Sequence, residues 1–305
     1  MAEYTPLSRA DLEGLAAEFG LTLTSFAPMP GGNANSSYRL GTAEAEVVLT
    51  VCDDKDWAEA EALAELLEHL QEQAFPSTPI LRTLDGRRLA RFDDKPVLLK
   101  RFVPGHTPDE ADDEQLEQMG EAMAKLHRIA PTRSLPGRHA YGVHRFDDVL
   151  GRGPDPDYER WLESRIEPMA QLAARPLPTG LIHGDLFADN VAFDGARLAA
   201  VLDFEEACVG HFAFDVAMAV VGSRGGAAPA AAQVGAVLRG YQRVRVMQAD
   251  EVASLWEQVA YAAAATSTWR YRKFGLEQPG TRPPSAWWSM VDIATFAETN
   301  PRLIA

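Results

Sequence analysis

The sequence predicts a bilobal α+β chain, with a small antiparallel sheet and one inserted helix over residues 1–102 and a larger, mainly helical region over residues 103–305. Three observations lead there. Short β-branched or alternating runs separated by turn residues crowd between Leu21 and Phe102. After "VPGHTP" (103–108), longer stretches with apolar residues three and four apart take over. Within that helical region a single hairpin signature, "NVAFDGARLAAVLDF" (190–204), stands alone around Asp194-Gly195.

The first helix is marked by Ser8 as a cap with Asp11 three residues on. Leu12, Leu15, Ala16 and Phe19 form its apolar stripe, and Gly20 stops it. "LTLTSFAPM", "SSYRLG", "EVVLTV", "RRLARF" and "PVLLKRF" read as five strands. A helix from about Asp56 to Gln73, with Leu63, Leu66, Leu67 and Leu70 on its inner face, enters after the third strand. Val103–Gly105 is the expected hinge. Beyond it, "DEQLEQMGEAMAKLHRIAP" reads as a helix with Leu116, Met119, Met123 and Leu126 on one side, ended by Pro131. Further helices are expected over Asp157–Ala174, Ala227–Arg243 and Ala249–Phe274, and a loop around Gly222–Ala232.

Composition narrows the function classes. Hydrophobic residues are 46% and charged residues 24%, a globular mixture with material for a sizeable core. A net charge of −15 repels a phosphate backbone, so no nucleic-acid partner is expected. It leaves room for a nucleotide held locally, and biases the site weakly toward cationic or zwitterionic substrates. Cys52 and Cys208 have neither metal-ligand spacing nor a disulfide framework and are expected as thiols. The start has no basic and apolar leader, and the longest apolar windows are too short for a membrane, so a cytoplasmic protein is expected.

The chemistry concentrates in "LIHGDLFADN" (181–190) and in Asp203, thirteen residues after Asn190. An Asp followed five residues later by an Asn suits a loop whose carboxylate orients an attacking hydroxyl and whose amide binds a hard cation. A second Asp at the end of the next strand completes the cation's oxygen shell. This is the layout of a phosphoryl-transfer site, with Asp185 as base and Asn190 and Asp203 on Mg²⁺. A lone Asp at a strand end is ordinarily a turn residue or cap. The spacing H-G-D-x-x-x-x-N, then a hairpin, then D-F, makes the functional reading the stronger one.

These residues resemble the catalytic core of the aminoglycoside phosphotransferase/choline kinase superfamily, which is related to the protein kinases. The likeness runs from the strand pair near Gly32 to about residue 275. It implies a protein-kinase-like fold, with ATP and Mg²⁺ as cofactors and a small-molecule hydroxyl, on an amino acid or amino alcohol, as acceptor. It also implies Asp185 as catalytic base, Asn190 and Asp203 as metal ligands, His183 as a residue that orders the loop, and Asp215 of "FAFDVAMAV" as its brace. Within the superfamily, "GNANSSYRL", "EVVLTVCDD", "MGEAMAKLHRIAP" and "GDLFADNVAFDGARLAAVLDF" resemble type II homoserine kinases. The last carries the most specific match, including Phe187, whereas Ser37 departs from the pattern. The likeness implies conversion of L-homoserine to O-phospho-L-homoserine, a step of threonine biosynthesis. The alternatives are a kinase of another amino alcohol, an aminoglycoside-type phosphotransferase, or a nucleotide-binding pseudokinase.

One position resists the analogy. Most kinase-like folds carry a lysine on the third strand that touches the nucleotide phosphates and pairs with a helix glutamate; here that position is Thr50. A neutral hydroxyl does not replace an ammonium. Type II homoserine kinases share the threonine, which implies an active enzyme with other phosphate contacts. Backbone N–H groups of the turn through Gly31, Gly32, Asn35 and Ser36 are the first candidates, ahead of Lys55, Lys100 and Arg101. Glu65 sits where the helix glutamate belongs. Glu205 and Glu206, beside Asp203, are candidates to receive a substrate amine. Arg270 and Arg272 are candidates for a substrate carboxylate by residue type.

Overall fold

Helix α1 (Arg9–Glu18) is capped as the sequence predicts. Ser8 accepts from the Asp11 N–H, and Asp11 reaches back to the Ser8 backbone. In the computed structural model, which describes residues 5–29, 35–108, 110–224 and 230–300, strands β1 (Leu23–Pro28), β2 (Ser36–Thr42) and β3 (Glu46–Val51) follow. Then come α2 (Trp57–Glu72), β4 (Leu89–Phe92) and β5 (Lys95–Arg101). All strand pairs are antiparallel, in the order β1-β2-β3-β5-β4, so the five-stranded sheet with a helix after its third strand is as the sequence implies.

Alternation along the strands decides which side chains meet α1. Tyr38, Leu40, Val47, Leu49, Val51, Val97 and Leu99 join Leu12, Leu15 and Phe19 in one buried cluster. Each such Leu or Val contributes about 1.5–3 kcal/mol over its exposed state. Thr50 falls on the opposite face, between Ser37 of β2 and Leu98 of β5.

The chain divides into two units, Met1–Pro104 with Thr132–Leu135, and Gly105–Pro131 with Pro136–Ala305. The second contains α3 (Asp113–Leu126), α4 (Pro156–Ala173), β6 (Thr179–Ile182), β7 (Val191–Asp194), β8 (Arg197–Val201) and β9 (Cys208–His211). Its remaining helices are α5 (Phe212–Val221), α6 (Ala231–Gln242), α7 (Ala249–Arg270) and α8 (Ser285–Thr299). Strands β7 and β8 form the expected hairpin, and β6 pairs antiparallel with β9. Every residue of α5 is buried, Asp215 included.

Several boundaries differ from the sequence reading. Helix α3 stops at Leu126 rather than at Pro131, because the chain tightens: Arg128 N–H donates to Lys125 O and Ile129 N–H to Leu126 O. Helix α6 starts at Ala231, four residues after the expected start at Ala227. Helix α7 ends at Arg270 and widens into a π-helical turn over Tyr271–Glu277, which seats Tyr271 in the core with its hydroxyl on Glu159 Oε1 at 2.6 Å. The sequence reading gave no element to β9, α5 or α8. Of these α8 had a legible stripe, Trp287, Met290, Val291, Ala294 and Ala297. Cys52 and Cys208 are both buried and form no disulfide. Among the described residues no helix is long and apolar enough to cross a membrane.

Candidate active site

The segment after β6 is held by its backbone. His183 N–H donates to Asp215 Oδ2 at 3.0 Å and Gly184 N–H to Asp215 Oδ1 at 2.8 Å. Gly184 has φ +82°, and a Cβ there would stand 2.6 Å from the Glu206 carbonyl oxygen and 2.9 Å from His139 Cδ2, so only glycine fits. The His183 ring closes the turn from inside: Nε2–H donates to Leu202 O at 2.7 Å, and Nδ1 accepts the Asp185 N–H at 3.2 Å. Together these two contacts tie the turn to the end of the hairpin.

Asp185 and Asn190 meet directly. Asn190 Nδ2 donates to the Asp185 carbonyl at 2.7 Å and to Asp185 Oδ2 at 3.3 Å. The Asn190 carbonyl accepts Leu202 N–H at 2.8 Å, which brings the next residue, Asp203, to the same end of the hairpin. Asp203 has φ 56° and ψ 65°, a left-handed conformation that costs a non-glycine residue about 1–3 kcal/mol. Backbone strain at a carboxylate of this kind is characteristic of functional positions.

Charge is concentrated here. The protein packed around Asp185 pushes its carboxyl well above the usual carboxylate range, and Asp203, Glu206 and Asp189 push it further the same way. Asp189 is raised too, by the protein around it and by Asp203. Converging carboxylates of this kind need a cation to ionise together. Among the described residues no group of three or more His, Cys, Asp or Glu side chains is disposed to hold a metal ion. A Mg²⁺ that arrives with nucleotide phosphates needs only one or two protein oxygens. Asn190 spends its Nδ2 on Asp185, which leaves its Oδ1 as the oxygen it can offer, while Asp203 is exposed; both fit that requirement.

A second layer fixes the loop. Burial pushes Asp215 up, but the hydrogen bond from His127 Nε2 at 2.9 Å, together with the nearby imidazoles and the His183 N–H, holds it below the usual range. Burial also pushes His127 down, so its neutral ring donates from Nε2 and accepts the Tyr241 hydroxyl on Nδ1 at 2.7 Å. Arg245 donates to Tyr241 Oη and pairs with buried Glu251, each at 3.0 Å. On the other side, His139 Nε2 donates to Gly184 O at 2.9 Å, and burial lowers its pKa to about 4. Tyr141 donates to Glu206 Oε1 at 2.5 Å, its own pKa raised by burial and by Glu206. His127, His139, Tyr141, Tyr241 and Arg245 escaped the sequence reading. Only the Leu126-His127 pair lay in a recognisable motif; His139, Tyr141 and Tyr241 bond residues 45 to 114 positions away and leave no local pattern, and Arg245 acts through Tyr241 and Glu251 close to it in sequence.

In the first unit, Asn35 Oδ1 accepts the Asp53 N–H at 3.1 Å and Ser36 Oγ donates to Asp53 Oδ2 at 2.5 Å. Lys95 Nζ reaches Asp53 Oδ1 at 2.6 Å, and Thr5 Oγ1 donates to the same oxygen at 2.5 Å. Burial raises Asp53, yet these bonds hold it below the usual range. Gly31 and Gly32 lie outside the described residues. Thr50 is buried with Oγ1 3.2 Å from Ser37 Oγ. Glu65, on α2, accepts from Ser134 Oγ. Lys100 and Arg101 sit at the end of β5, opposite Val48 and Val47. Arg270 ends α7, and Arg272 pairs with Glu277 at 2.9 Å.

A five-stranded sheet with a helix after β3, and a helical unit that presents Asp185, Asn190 and Asp203 from a loop and a hairpin, define a kinase-like phosphotransferase. The sequence model of the phosphotransferase enzyme family matches residues 25–247, and the chain belongs to this family. Curated relatives include homoserine kinases. That of Pseudomonas aeruginosa strain LESB58 is 31% identical over 224 residues, 72% of this chain and 71% of that protein. That of Azorhizobium caulinodans is 32% identical over 274 residues, covering 87% and 85%. Solved structures with the same fold include a microcompartment-associated aminopropanol kinase, at TM-score 0.72, 18% identity and 96% coverage of both chains. Another is a spectinomycin phosphotransferase bound to ADP and spectinomycin, at TM-score 0.66, 12% identity and coverage of 96% and 99%. The protein is thus a phosphotransferase that acts on an alcohol group of a small molecule.

Proposed function

We propose that the protein phosphorylates the γ-hydroxyl of L-homoserine with ATP, giving O-phospho-L-homoserine in the cytoplasm for threonine biosynthesis. The observation that carries the reaction type is the bonded Asp185–Asn190 pair, with Asp203 strained into place one hairpin away. The homoserine kinases at 31% and 32% identity support the acceptor. Residues 1–102 are assigned to the nucleotide, with Gly31, Gly32, Asn35, Ser36, Thr50 and Glu65 as the contacting positions. Residues 103–305 are assigned to catalysis and the acceptor.

Asp185 accepts the hydrogen bond of the attacking hydroxyl, aligns its oxygen with the phosphorus and takes the proton late, when the bond to phosphorus has formed. Asn190 fixes the Asp185 rotamer through Nδ2, and the Asp215 contacts to two successive N–H groups hold the main chain that carries it. Asn190 and Asp203 would hold Mg²⁺, which supplies charge neutralisation on the nucleotide phosphates. Thr50 provides no cation, so the turn N–H groups are the first candidates for the phosphate contacts, ahead of Lys55, Lys100 and Arg101. Glu206, whose charge acts on Asp185, would suit any amine-bearing alcohol, and this favours an amino-alcohol kinase as the second reading.

The test is ADP release with ATP and Mg²⁺ in the presence of L-homoserine, L-threonine, L-serine, choline or kanamycin. L-Homoserine is expected to give the highest kcat/KM, with at least about a hundredfold loss in Asp185→Asn. Preference for another acceptor would transfer the function to the second reading, and turnover retained in Asp185→Asn would overturn the assignment of the base.

A further inference from the structure

The two arginines near the end of α7 are not equivalent. Arg272 is already paired with Glu277 and its side chain is 41% exposed. Arg270 is half-buried and anchored at one nitrogen only: Nη1 donates to Ala286 O at 3.0 Å and, more weakly, to Ser289 Oγ at 3.4 Å. A guanidinium has five N–H donors in a fixed fork, so most of them remain for another acceptor. The described residues give Arg270 no carboxylate within ion-pair distance.

The residue beside it on α7 leads back toward Asp185, whose charge acts on the Arg270 guanidinium. Trp269, the preceding residue, sets its ring 6.0 Å from that of Tyr141, and Tyr141 donates to Glu206 at 2.5 Å. The Glu206 carbonyl abuts Gly184, the residue before Asp185. We propose that Arg270 selects an acceptor bearing a carboxylate while Glu206, oriented by Tyr141, receives its ammonium, so that the site prefers a hydroxy α-amino acid to an amino alcohol. This rests on the phosphotransferase reading above and refines its acceptor.

Electrostatics points the same way. Burial lowers the Arg270 pKa, Asp185 and Asp189 counter it, and Arg282 adds a second positive charge nearby. A half-buried guanidinium without a bonded anion is costly, and the carboxylate of a zwitterionic acceptor would satisfy its free donors in bidentate fashion. The same acceptor would place its ammonium toward the carboxylate cluster and its hydroxyl at Asp185.

The experiment compares L-homoserine, L-homoserine methyl ester and 3-amino-1-propanol, which is homoserine without its carboxylate, in the native protein and in Arg270→Gln and Arg270→Lys. The native protein should favour L-homoserine over 3-amino-1-propanol in kcat/KM by about 10- to 100-fold, chiefly through KM. In Arg270→Gln that ratio should collapse toward one, and Arg270→Lys should keep a fraction of it. The methyl ester tests the carboxylate without any substitution and should behave like the amino alcohol. Equal losses for all acceptors in Arg270→Gln, or a native protein indifferent to the carboxylate, would overturn the proposal. Should no acceptor turn over, the reaction assignment fails separately. Calorimetric binding of L-homoserine with Mg²⁺ and a non-hydrolysable ATP analogue then decides: Arg270-dependent binding supports the inference, while absent or Arg270-independent binding overturns it.

Discussion

Replacing His139 by Gln should flatten the pH dependence of stability in mild acid. The imidazole is buried, donates from Nε2 to Gly184 O at 2.9 Å, and accepts the Tyr141 N–H on Nδ1 at 3.2 Å. The Nδ1 contact needs the neutral ring, and burial lowers its pKa from 6.5 to about 4 although the Gly184 carbonyl favours the protonated form. The folded value lies below the unfolded one, so as pH falls the unfolded chain takes up this proton first. Stability from the residue is therefore fully present above about pH 6.5 and lost progressively down to about pH 4. Applied to those two values, the linkage relation gives a loss of about 2 kcal/mol between pH 7.5 and pH 5, and about 3.4 kcal/mol at the acid limit. Gln keeps an N–H donor for the Gly184 carbonyl and does not titrate. His127 and His183, also lowered by burial, are common to both proteins and cancel in the comparison. Urea unfolding followed by circular dichroism at pH 7.5, 6 and 5 should show the native protein losing about 2 kcal/mol more than the variant. Parallel stability curves would refute the claim that His139 is held neutral against Gly184.

Two further substitutions probe the scaffold of the site. Asp215→Asn replaces a fully buried carboxylate that receives the His127 ring and two backbone N–H groups. It should cost about 3–5 kcal/mol, read by thermal or urea unfolding, and should lower kcat more than it raises KM, since the catalytic loop rather than an acceptor contact is disturbed. Gly240→Ala should destabilise although alanine is the better helix former. A Cβ there would overlap the Glu117 carbonyl across the α3–α6 contact, where Gly120 faces the Val237 carbonyl in the same way. The expected loss is about 1–3 kcal/mol by denaturant unfolding, and a neutral or stabilising result would contradict the close approach of these two helices.

What was legible in the sequence was local. The five strands and α2 carry short-range periodicity, and Asp56 caps α2 as a box with Glu59, so those elements could be read within a residue or two. Asp185, Asn190 and Asp203 belong to one contiguous motif whose spacing encodes the loop and hairpin. Thr50 was visible as a departure because strand β3 itself was clear. Beyond His183 and Asp215, which the family likeness pointed to, the supports were not legible. His139 bonds a residue 45 positions away and Tyr141 one 65 positions away; nothing at either end alone marks the pairing. Arg270 and Arg272 looked alike as residue types, and only the widening of α7 after Arg270 separated a residue anchored to α8 from one paired with Glu277. Helix α5 read simply as apolar because all of its faces are buried, which erases the amphipathic stripe by which a surface helix is recognised.

The central claim is a phosphoryl transfer to a hydroxyl oriented by Asp185, with L-homoserine as the acceptor. Phosphorus NMR of the product formed from ATP, Mg²⁺ and L-homoserine tests it most directly. One phosphomonoester resonance coupled to the γ-methylene protons is expected, appearing in step with ADP and absent in Asp185→Asn. Inorganic phosphate as the sole new species, or an ester that forms equally well without the Asp185 carboxylate, would contradict it.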